Sequence, residues 1–372
     1  MRQQSSSGVS AIVLAAGMSS RMGRPKQLLP VGGKPLLRVV LEILGTSEVE
    51  EIIVVLGASA DAIRQQVSLD GARVVLNEAY PEGMGTSLRA GIAAVDPGAK
   101  AALVILGDQP FLKAATIDRL IGQHRERQPQ IAIPLYQGFR GNPVLLDRSV
   151  FPELAGLAGD IGCRAIFGSH TENILKVPVD DAGILLDVDT PADFEKLAEI
   201  EARGMGVEAS LEAGDTSTSA GAQPQLVIVG YEAVGRALVK LGNLLHFTVV
   251  VVDPFLAIRE TASADYVLHT LDLSRLPAAG GTYVVVASRG RFDEEAVEQA
   301  LLAKADYVAL VSNKKRAQEV LAAMRANGTT AERMAAVRAP AGIAIGAQNP
   351  EEIALSVMAE IVAESRSRHR TG

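Results

Sequence analysis

Short runs of Val, Ile and Leu alternate with longer amphipathic stretches along most of this chain. Residues 11–14, 52–56, 73–76 (opened by Arg73) and 102–106 are strand-length, predominantly apolar runs without the alternation of a half-exposed strand. They predict strands covered on both faces. Residues 36–44 and 61–67 repeat their apolar positions at helical spacing and predict helices between those strands. Strands alternating with helices specify an α/β architecture with a mostly parallel sheet. The rhythm breaks once, at "RGMGVEASLEAGDTSTSAGAQP" (203–224), where Gly, Ser, Thr and Ala leave no core-facing stripe. This reads as a flexible linker. At 226–229 a second strand–turn–helix series begins and continues to the C-terminus. The expected organisation is a disordered tail at 1–8, an α/β domain at 9–202, a linker at 203–223 and a second α/β domain at 224–372. Both domains are expected to be Rossmann-like, with mostly parallel sheets.

Composition narrows the classes of function. A chain of 372 residues with 48% hydrophobic content can bury two cores. Its longest apolar runs, such as 248–252, are far shorter than a membrane span, and "MRQQSSSG" lacks the apolar centre of a secretory signal. The single cysteine, Cys163, cannot form an internal disulfide, and the five histidines show no zinc-ligand spacing. A reducing cytoplasm is the expected compartment. The net charge of −7 argues against a general nucleic-acid or membrane surface. A phosphate site on this chain has to be a local positive pocket.

One stretch has the chemistry of such a pocket: "LAAGMSSRMGRPKQLLPVGGKPLL" (14–37), directly after the first apolar run. Gly17 and Gly23 are separated by five residues and followed by Arg24 and Pro25, so the ATPase phosphate-loop spacing fails. The dinucleotide spacing fails as well. What remains is a long loop with Arg21, Arg24 and Lys26, whose amides and cations can wrap a triphosphate. It leaves the first buried strand where open α/β sheets place ligands. Asp108 follows the run 103–106 at the carboxyl end of a predicted strand, and Asp187 and Asp189 end the run 184–186. Either Asp189 or Thr190 suits the cap of a helix with Pro191 in its first turn. With Thr190 capping, Asp189 is left for a metal. A hard ion such as Mg²⁺ needs one or two carboxylates and leaves its other positions to phosphate and water.

The pattern LAAG-x-S-x-R-M-G-x-x-K-x-L-L-P resembles the opening signature of the MobA/MocA-like nucleotidyltransferases, in particular the molybdenum cofactor cytidylyltransferases. The resemblance covers residues 9–200 and includes, in order, "EGMGTSLRAGI" (82–92), "GDQP" (107–110), "GNPVLL" (141–146), "GDIGCRA" (159–165) and "LLDVDTPADF" (185–194). It implies a nucleotide held by Leu14, Ala15, Ala16 and Gly17, with Arg21 and Lys26 on the triphosphate. Gly83, Gly85, Thr86 and Ser87 would face the base or the acceptor. Asp108 and Asp189 would hold Mg²⁺, with Asp187 the weaker candidate, and Arg21, Lys26 and Asp108 would carry catalysis. Asn142, Asp160 and Arg164 would lie on the acceptor side. The implied donor is CTP, since LAAG rather than LAGG matches the cytidylyl branch, and the implied acceptor is molybdopterin cofactor. GTP or another acceptor is the alternative. Ile161 stands where the cytidylyl relatives carry Arg, which bears on acceptor affinity and identity.

In the second half, "LVIVGYEAVGRAL" (226–238) holds Gly230 and Gly235, and Asp253 closes the next strand near the position of a ribose-binding acid. Glu232 replaces the middle glycine of a dinucleotide fingerprint and adds a like charge beside a pyrophosphate, so NAD(P) is not expected. With "VVVASRGRFDEEAVEQAL" (284–301) and "APAGIAIGAQNPEEIALSVMAEIV" (339–362), residues 224–363 resemble the XdhC/CoxI accessory proteins of xanthine dehydrogenase-type molybdoenzymes. That implies a domain that binds molybdenum cofactor and passes it to an acceptor molybdoenzyme. The loop with Gly342 and Gly346 is a further cofactor candidate. Lys314, Lys315 and Arg316 read either as a solvated helix start or as a phosphate contact. Asn349, Pro350 and Glu352 read as a helix cap. A non-catalytic maturation chaperone is the rival from another class.

Overall fold

The computed structural model describes residues 8–19, 22–157, 159, 162–188, 223–254, 256, 263–276, 279–326 and 328–369. They form two compact units: the described residues up to Tyr136 and from Arg140 to Val188 make the first, and those from 223 onward, together with Gln137–Phe139, make the second. The expected linker falls almost wholly in that stretch and so lies outside the described residues.

The first unit is built from strands β1 (Val9–Ala15), β2 (Pro30–Val31), β3 (Lys34–Pro35), β4 (Glu51–Leu56), β5 (Arg73–Leu76), β6 (Ala101–Leu106), β7 (Ile131–Tyr136), β8 (Phe139–Arg140), β9 (Val144–Asp147) and β10 (Ile174–Pro178). Its helices are α1 (Leu36–Gly45), α2 (Ala60–Gln66), α3 (Met84–Ala94), α4 (Ala114–Arg127) and α5 (Phe151–Leu154). The main sheet runs β10-β7-β9-β6-β1-β4-β5, with β8 on β7, while β2 and β3 form a separate small hairpin. Every pairing from β6 through β1 and β4 to β5 is parallel; β9 inserts antiparallel between β6 and β7. Cover on both faces explains three of the runs: Val9, Ala11, Ile12 and Val13 of β1, Ile53 to Leu56 of β4 and Ala101 to Ile105 of β6 are buried. The expectation fails for 73–76, because β5 is the edge strand, where Arg73 and Leu76 are exposed. Helix α3 lies close on β1 because position 91 is glycine, where an added Cβ would stand 2.4 Å from Ile12 Cγ2. The run 184–186 is not a strand; its first residues belong to a 3-10 turn, Ala182–Leu185, capped by Asp181. Gly8, the last residue of the expected tail, is buried and donates its N–H to Glu50 Oε1 at 2.9 Å.

The second unit contains β11 (Gln225–Val229), α6 (Ala233–Leu244), β12 (Thr248–Val252), β13 (Tyr266–Leu268), β14 (Thr282–Val286), α7 (Asp293–Leu302), β15 (Tyr307–Leu310), α8 (Lys314–Ala326), α9 (Ala331–Ala335), β16 (Val337–Arg338) and α10 (Pro350–His369). Its sheet is parallel throughout, in the order β13-β12-β11-β14-β15-β16. Leu226, Ile228, Val249, Val251 and Val285 meet Leu238 of α6 and Val357, Met358 and Ile361 of α10 in one buried cluster. The architecture is therefore two α/β domains with mostly parallel sheets, as the pattern predicts. Among the described residues no helix is long and apolar enough to cross a membrane.

Candidate functional site

In the first unit the chain passes from β1 to β4 and β5 on one side, then returns to place β6 on the other. Ligands of open α/β sheets bind where the order reverses, at the carboxyl ends of the strands. Here that point lies between β1 and β6, and both strands end in candidate residues. Leu14 and Ala15 close β1, and Ala16 and Gly17 open the loop that follows. Asp108 stands two residues beyond β6.

The loop folds back on itself and carries Lys26 to Asp108. Ser19 has a φ of 52°, its carbonyl accepts from Met22 N, and its hydroxyl accepts from Lys26 N at 3.1 Å. The Gln27 side chain is buried and donates from Nε2 to Ala15 O at 3.0 Å, which ties the loop's far end to β1. Lys26 Nζ then donates to Asp108 Oδ2. The pair is largely removed from water, with side-chain exposures of 18% and 9%. A buried ion pair of this kind is costly to assemble and contributes little net stability, which favours a chemical reason for keeping it.

A divalent cation fits Asp108. The carboxylate is hard, buried at a strand end, and already faces a cation in the Lys26 ammonium. Among the described residues no cluster of three His, Cys, Asp or Glu side chains forms a closed metal cage. An ion here would take few protein ligands and fill its shell from phosphate and water, as Mg²⁺ does. Asp189, the expected second ligand, lies outside the described residues, as do Arg21 and Asp160. The backbone does reach Asp108 from that side, since Val188 N donates to Asp108 O at 3.2 Å.

Gly83 caps α3 with a φ of 113°, and Gly85 N donates to Gly159 O at 2.8 Å. Thr86 and Ser87 are buried, and their hydroxyls are used inside the fold. Asn77 Nδ2 donates to both at 2.9 Å, and Thr86 Oγ1 lies within hydrogen-bond reach of the carbonyls of Ala79 and Gly83. Their side chains shape the turn that a ligand would meet through its glycines and amides. Asn142 donates its N–H to Ile184 O at 3.0 Å. Arg164 is exposed on the 3-10 turn Cys163–Ile166. The neighbouring Cys163 thiol is pushed up to about 12 by burial, so it is not a nucleophile at neutral pH.

Sequence reasoning missed Ser19, Gln27, Asn77 and Asp181. Asn77 had a signal, because it follows the run 73–76 much as Asp108 follows 103–106. The roles of Ser19 and Gln27 depend on how the loop folds back and left no pattern.

With this geometry in place, residues 11–174 match the MobA-like NTP transferase domain, and residues 226–361 match the XdhC Rossmann domain. The chain joins a member of the first family to a member of the second. The nicotine blue oxidoreductase of Paenarthrobacter nicotinovorans is 33% identical over 198 residues, covering 51% of this chain and 96% of that protein. The molybdenum cofactor cytidylyltransferase of Escherichia coli K12 is 28% identical over 191 residues, covering 50% of this chain and 94% of that enzyme. The crystal structure of an Rv0371c homologue from Mycobacterium sp. strain JC1 superposes with a TM-score of 0.49 at 38% identity, over 53% of this chain and 99% of its own.

In the XdhC Rossmann domain the order reverses between β11 and β14, and the two loops there touch. Gly230 has a φ of 95°, and an added Cβ would stand 2.8 Å from Ser288 Cα; one at Gly235 would stand 2.3 Å from Gly230 O. Both glycines are therefore demanded by packing. Asp253 Oδ2 accepts from Tyr231 N at 3.1 Å, and Glu232 pairs with Arg291 at 3.5 Å. Of the basic cluster, Arg316 bonds Asp293 at 3.0 Å and lies 3.6 Å from Glu294, so it braces the loop before α7. Gly342 is a packing glycine: its φ is 92°, an added Cβ would meet Ser356 Oγ at 2.3 Å, and its N–H donates to Glu360 at 2.8 Å. Gly346 has a φ of 72° and open space around it. Asn349 caps α10 as expected, its Oδ1 accepting from Glu352 N at 2.8 Å, while the Glu352 carboxylate reaches one residue beyond the expected partner and accepts from Gln348 N at 2.7 Å.

Proposed function

We propose that the transferase domain moves CMP from CTP to molybdopterin cofactor, with Mg²⁺, and releases pyrophosphate. The XdhC domain would hold the product and pass it to a xanthine dehydrogenase-family molybdoenzyme. The observation that carries this reading is the sequestered Lys26–Asp108 pair at the point where the β1/β6 order reverses. It couples one cation suited to phosphate with one carboxylate suited to a metal.

The protein's own groups would divide the work. Backbone amides of the loop after β1 and the Lys26 ammonium hold the triphosphate in line. Asp108, joined by Asp189, holds Mg²⁺, which neutralises phosphate charge and polarises the α-phosphorus when bound. Asn142, Asp160 and Arg164 hold the acceptor, the Asn142 amide and Arg164 guanidinium being the groups suited to its phosphate, and Arg21 meets the charge that develops on the departing pyrophosphate. Fusion keeps the product near its receiver by effective concentration. A cytoplasmic location follows from this role.

The test is pyrophosphate release by purified protein with Mg²⁺, molybdopterin cofactor and each NTP in turn. Release with CTP alone supports the proposal, and release with GTP moves it to the guanylyl branch. Nucleotide binding without release from any NTP would favour a maturation chaperone. The relative named as an oxidoreductase, at 33% identity over 96% of its length, favours a second reading. Reduction or oxidation of nicotine blue by the protein with an added redox partner would support it, and its absence alongside pyrophosphate release would dismiss it.

A further inference from the structure

Asp181 is only 1% exposed and lies at the start of the 3-10 turn Ala182–Leu185. A buried carboxylate is costly unless donors meet its oxygens. Here Oδ2 accepts from Lys113 N at 2.9 Å and Thr116 Oγ1 at 2.6 Å, both at the start of α4, while Oδ1 accepts from Gly183 N at 2.9 Å. One side chain thus joins the beginning of α4 to the segment 181–188. Gly183 permits the close approach, since an added Cβ would stand 2.1 Å from Phe111 O and 2.8 Å from Leu112 N.

Beyond the clamp, the segment touches both sides of the candidate site. Ile184 O accepts from Gln109 Nε2 at 3.2 Å and from Asn142 N at 3.0 Å. Val188 N donates to Asp108 O at 3.2 Å. The Asp108 backbone, which sets where its side chain starts, is held at its own carbonyl, and the next residue is held through the Gln109 side-chain amide. Both holds come from the segment that Asp181 anchors.

We infer that Asp181 is a positioning residue: its carboxylate clamps 182–188 onto the 108–113 loop and thereby aims Asp108 at Lys26 and at a divalent cation. This rests on the metal-dependent transferase reading of the site. Groups that orient a metal ligand typically change metal affinity or activity about 10- to 100-fold when altered.

The experiment compares full-length wild type, Asp181→Asn and Thr116→Val. Free Mn²⁺ is followed by electron paramagnetic resonance with and without CTP, alongside thermal melting and the Mg²⁺ dependence of turnover. Both variants are expected to bind Mn²⁺ more weakly, Asp181→Asn by about 10-fold or more and Thr116→Val by less, because the latter keeps the carboxylate and two of its donors. Half-saturation by CTP at saturating Mg²⁺ stays unchanged. A purely structural role would lower the melting temperature and leave the Mn²⁺ affinity of the folded molecules alone. Wild-type Mn²⁺ affinity in both variants overturns the inference. Should Asp181→Asn fail to fold, Thr116→Val decides, and unaltered Mn²⁺ affinity there overturns it equally. Wild-type protein that binds no Mn²⁺ in the presence of CTP overturns the transferase reading itself, which separates the two failures.

Discussion

Lys26→Met should weaken nucleotide binding and strengthen metal binding, two effects of opposite sign from one substitution. Methionine keeps most of the lysine stem and removes the ammonium that rests on Asp108 Oδ2. Deleting one partner of a buried ion pair costs about 3–5 kcal/mol, and the 18% exposure of Lys26 argues for the lower figure. For a domain of this size about 3 kcal/mol lowers the melting temperature by about 6–12 °C. In the wild type, a metal ion reaching Asp108 must displace the ammonium. In the variant it meets a carboxylate relieved of that competitor. If even about 1.4 kcal/mol of the pairing energy is returned, the affinity for Mn²⁺ alone rises about 10-fold. Mn²⁺ should also restore more of the lost melting temperature in the variant than it adds to the wild type. With CTP present, the lost phosphate contact reduces turnover by about 100- to 1,000-fold. Mn²⁺ titration by electron paramagnetic resonance and pyrophosphate release read the two halves separately. A folded Lys26→Met protein that binds Mn²⁺ more weakly than wild type without nucleotide would refute the reasoning.

Three further outcomes are expected. Asn77→Ala removes the donor shared by the Thr86 and Ser87 hydroxyls, so chemical denaturation should show a loss of about 1–3 kcal/mol; an unchanged midpoint would mean the turn holds itself. Burial pushes the Asp147 carboxyl up, but the Ser149 hydroxyl and amide and His124 outweigh it and hold it below its ordinary 3.8. Stability from a depressed carboxyl is present above 3.8 and lost as the pH falls through the lower folded value, so the cost of Asp147→Asn should be about 1 kcal/mol at neutral pH and shrink in acid; a cost independent of pH would contradict this. Cys163, with its thiol pushed up to about 12, should resist iodoacetamide at neutral pH in the folded protein and react after denaturation.

Several features were legible in the sequence because they depend on local pattern. Buried parallel strands need unbroken apolar runs, so β1, β4 and β6 announced themselves, and so did the strand ends at which Asp108 and the 16–26 loop emerge; β5 forms a strand too, but on the sheet edge with Leu76 exposed. The cap at Asn349 and Glu352 was legible for the same reason, being a local exchange of hydrogen bonds. The run 184–186 carried no element in the sequence, because apolar composition alone does not separate a strand from a buried turn: Ile184 and Leu185 are buried in a 3-10 turn that Asp181 caps.

Glycines show the division most plainly. The spacing of Gly230 and Gly235 suggested ligand contacts, and their packing against Ser288 Cα and Gly230 O already accounts for them. For Gly230 the distinction lies in its distance to Ser288, a remote segment that no local pattern encodes, and for Gly235 in how the turn after β11 brings Gly230 O against it. By itself the sequence determined the two α/β domains, the strand ends that carry the charged loop and the residue types suited to phosphate and metal. Only the tertiary structure decided that Lys26 rests on Asp108, that Thr86 and Ser87 serve the turn, and that Asp181 ties the two sides together. Those contacts arise when crossovers bring remote chain segments to one end of a sheet, and the order of the strands sets which segments meet.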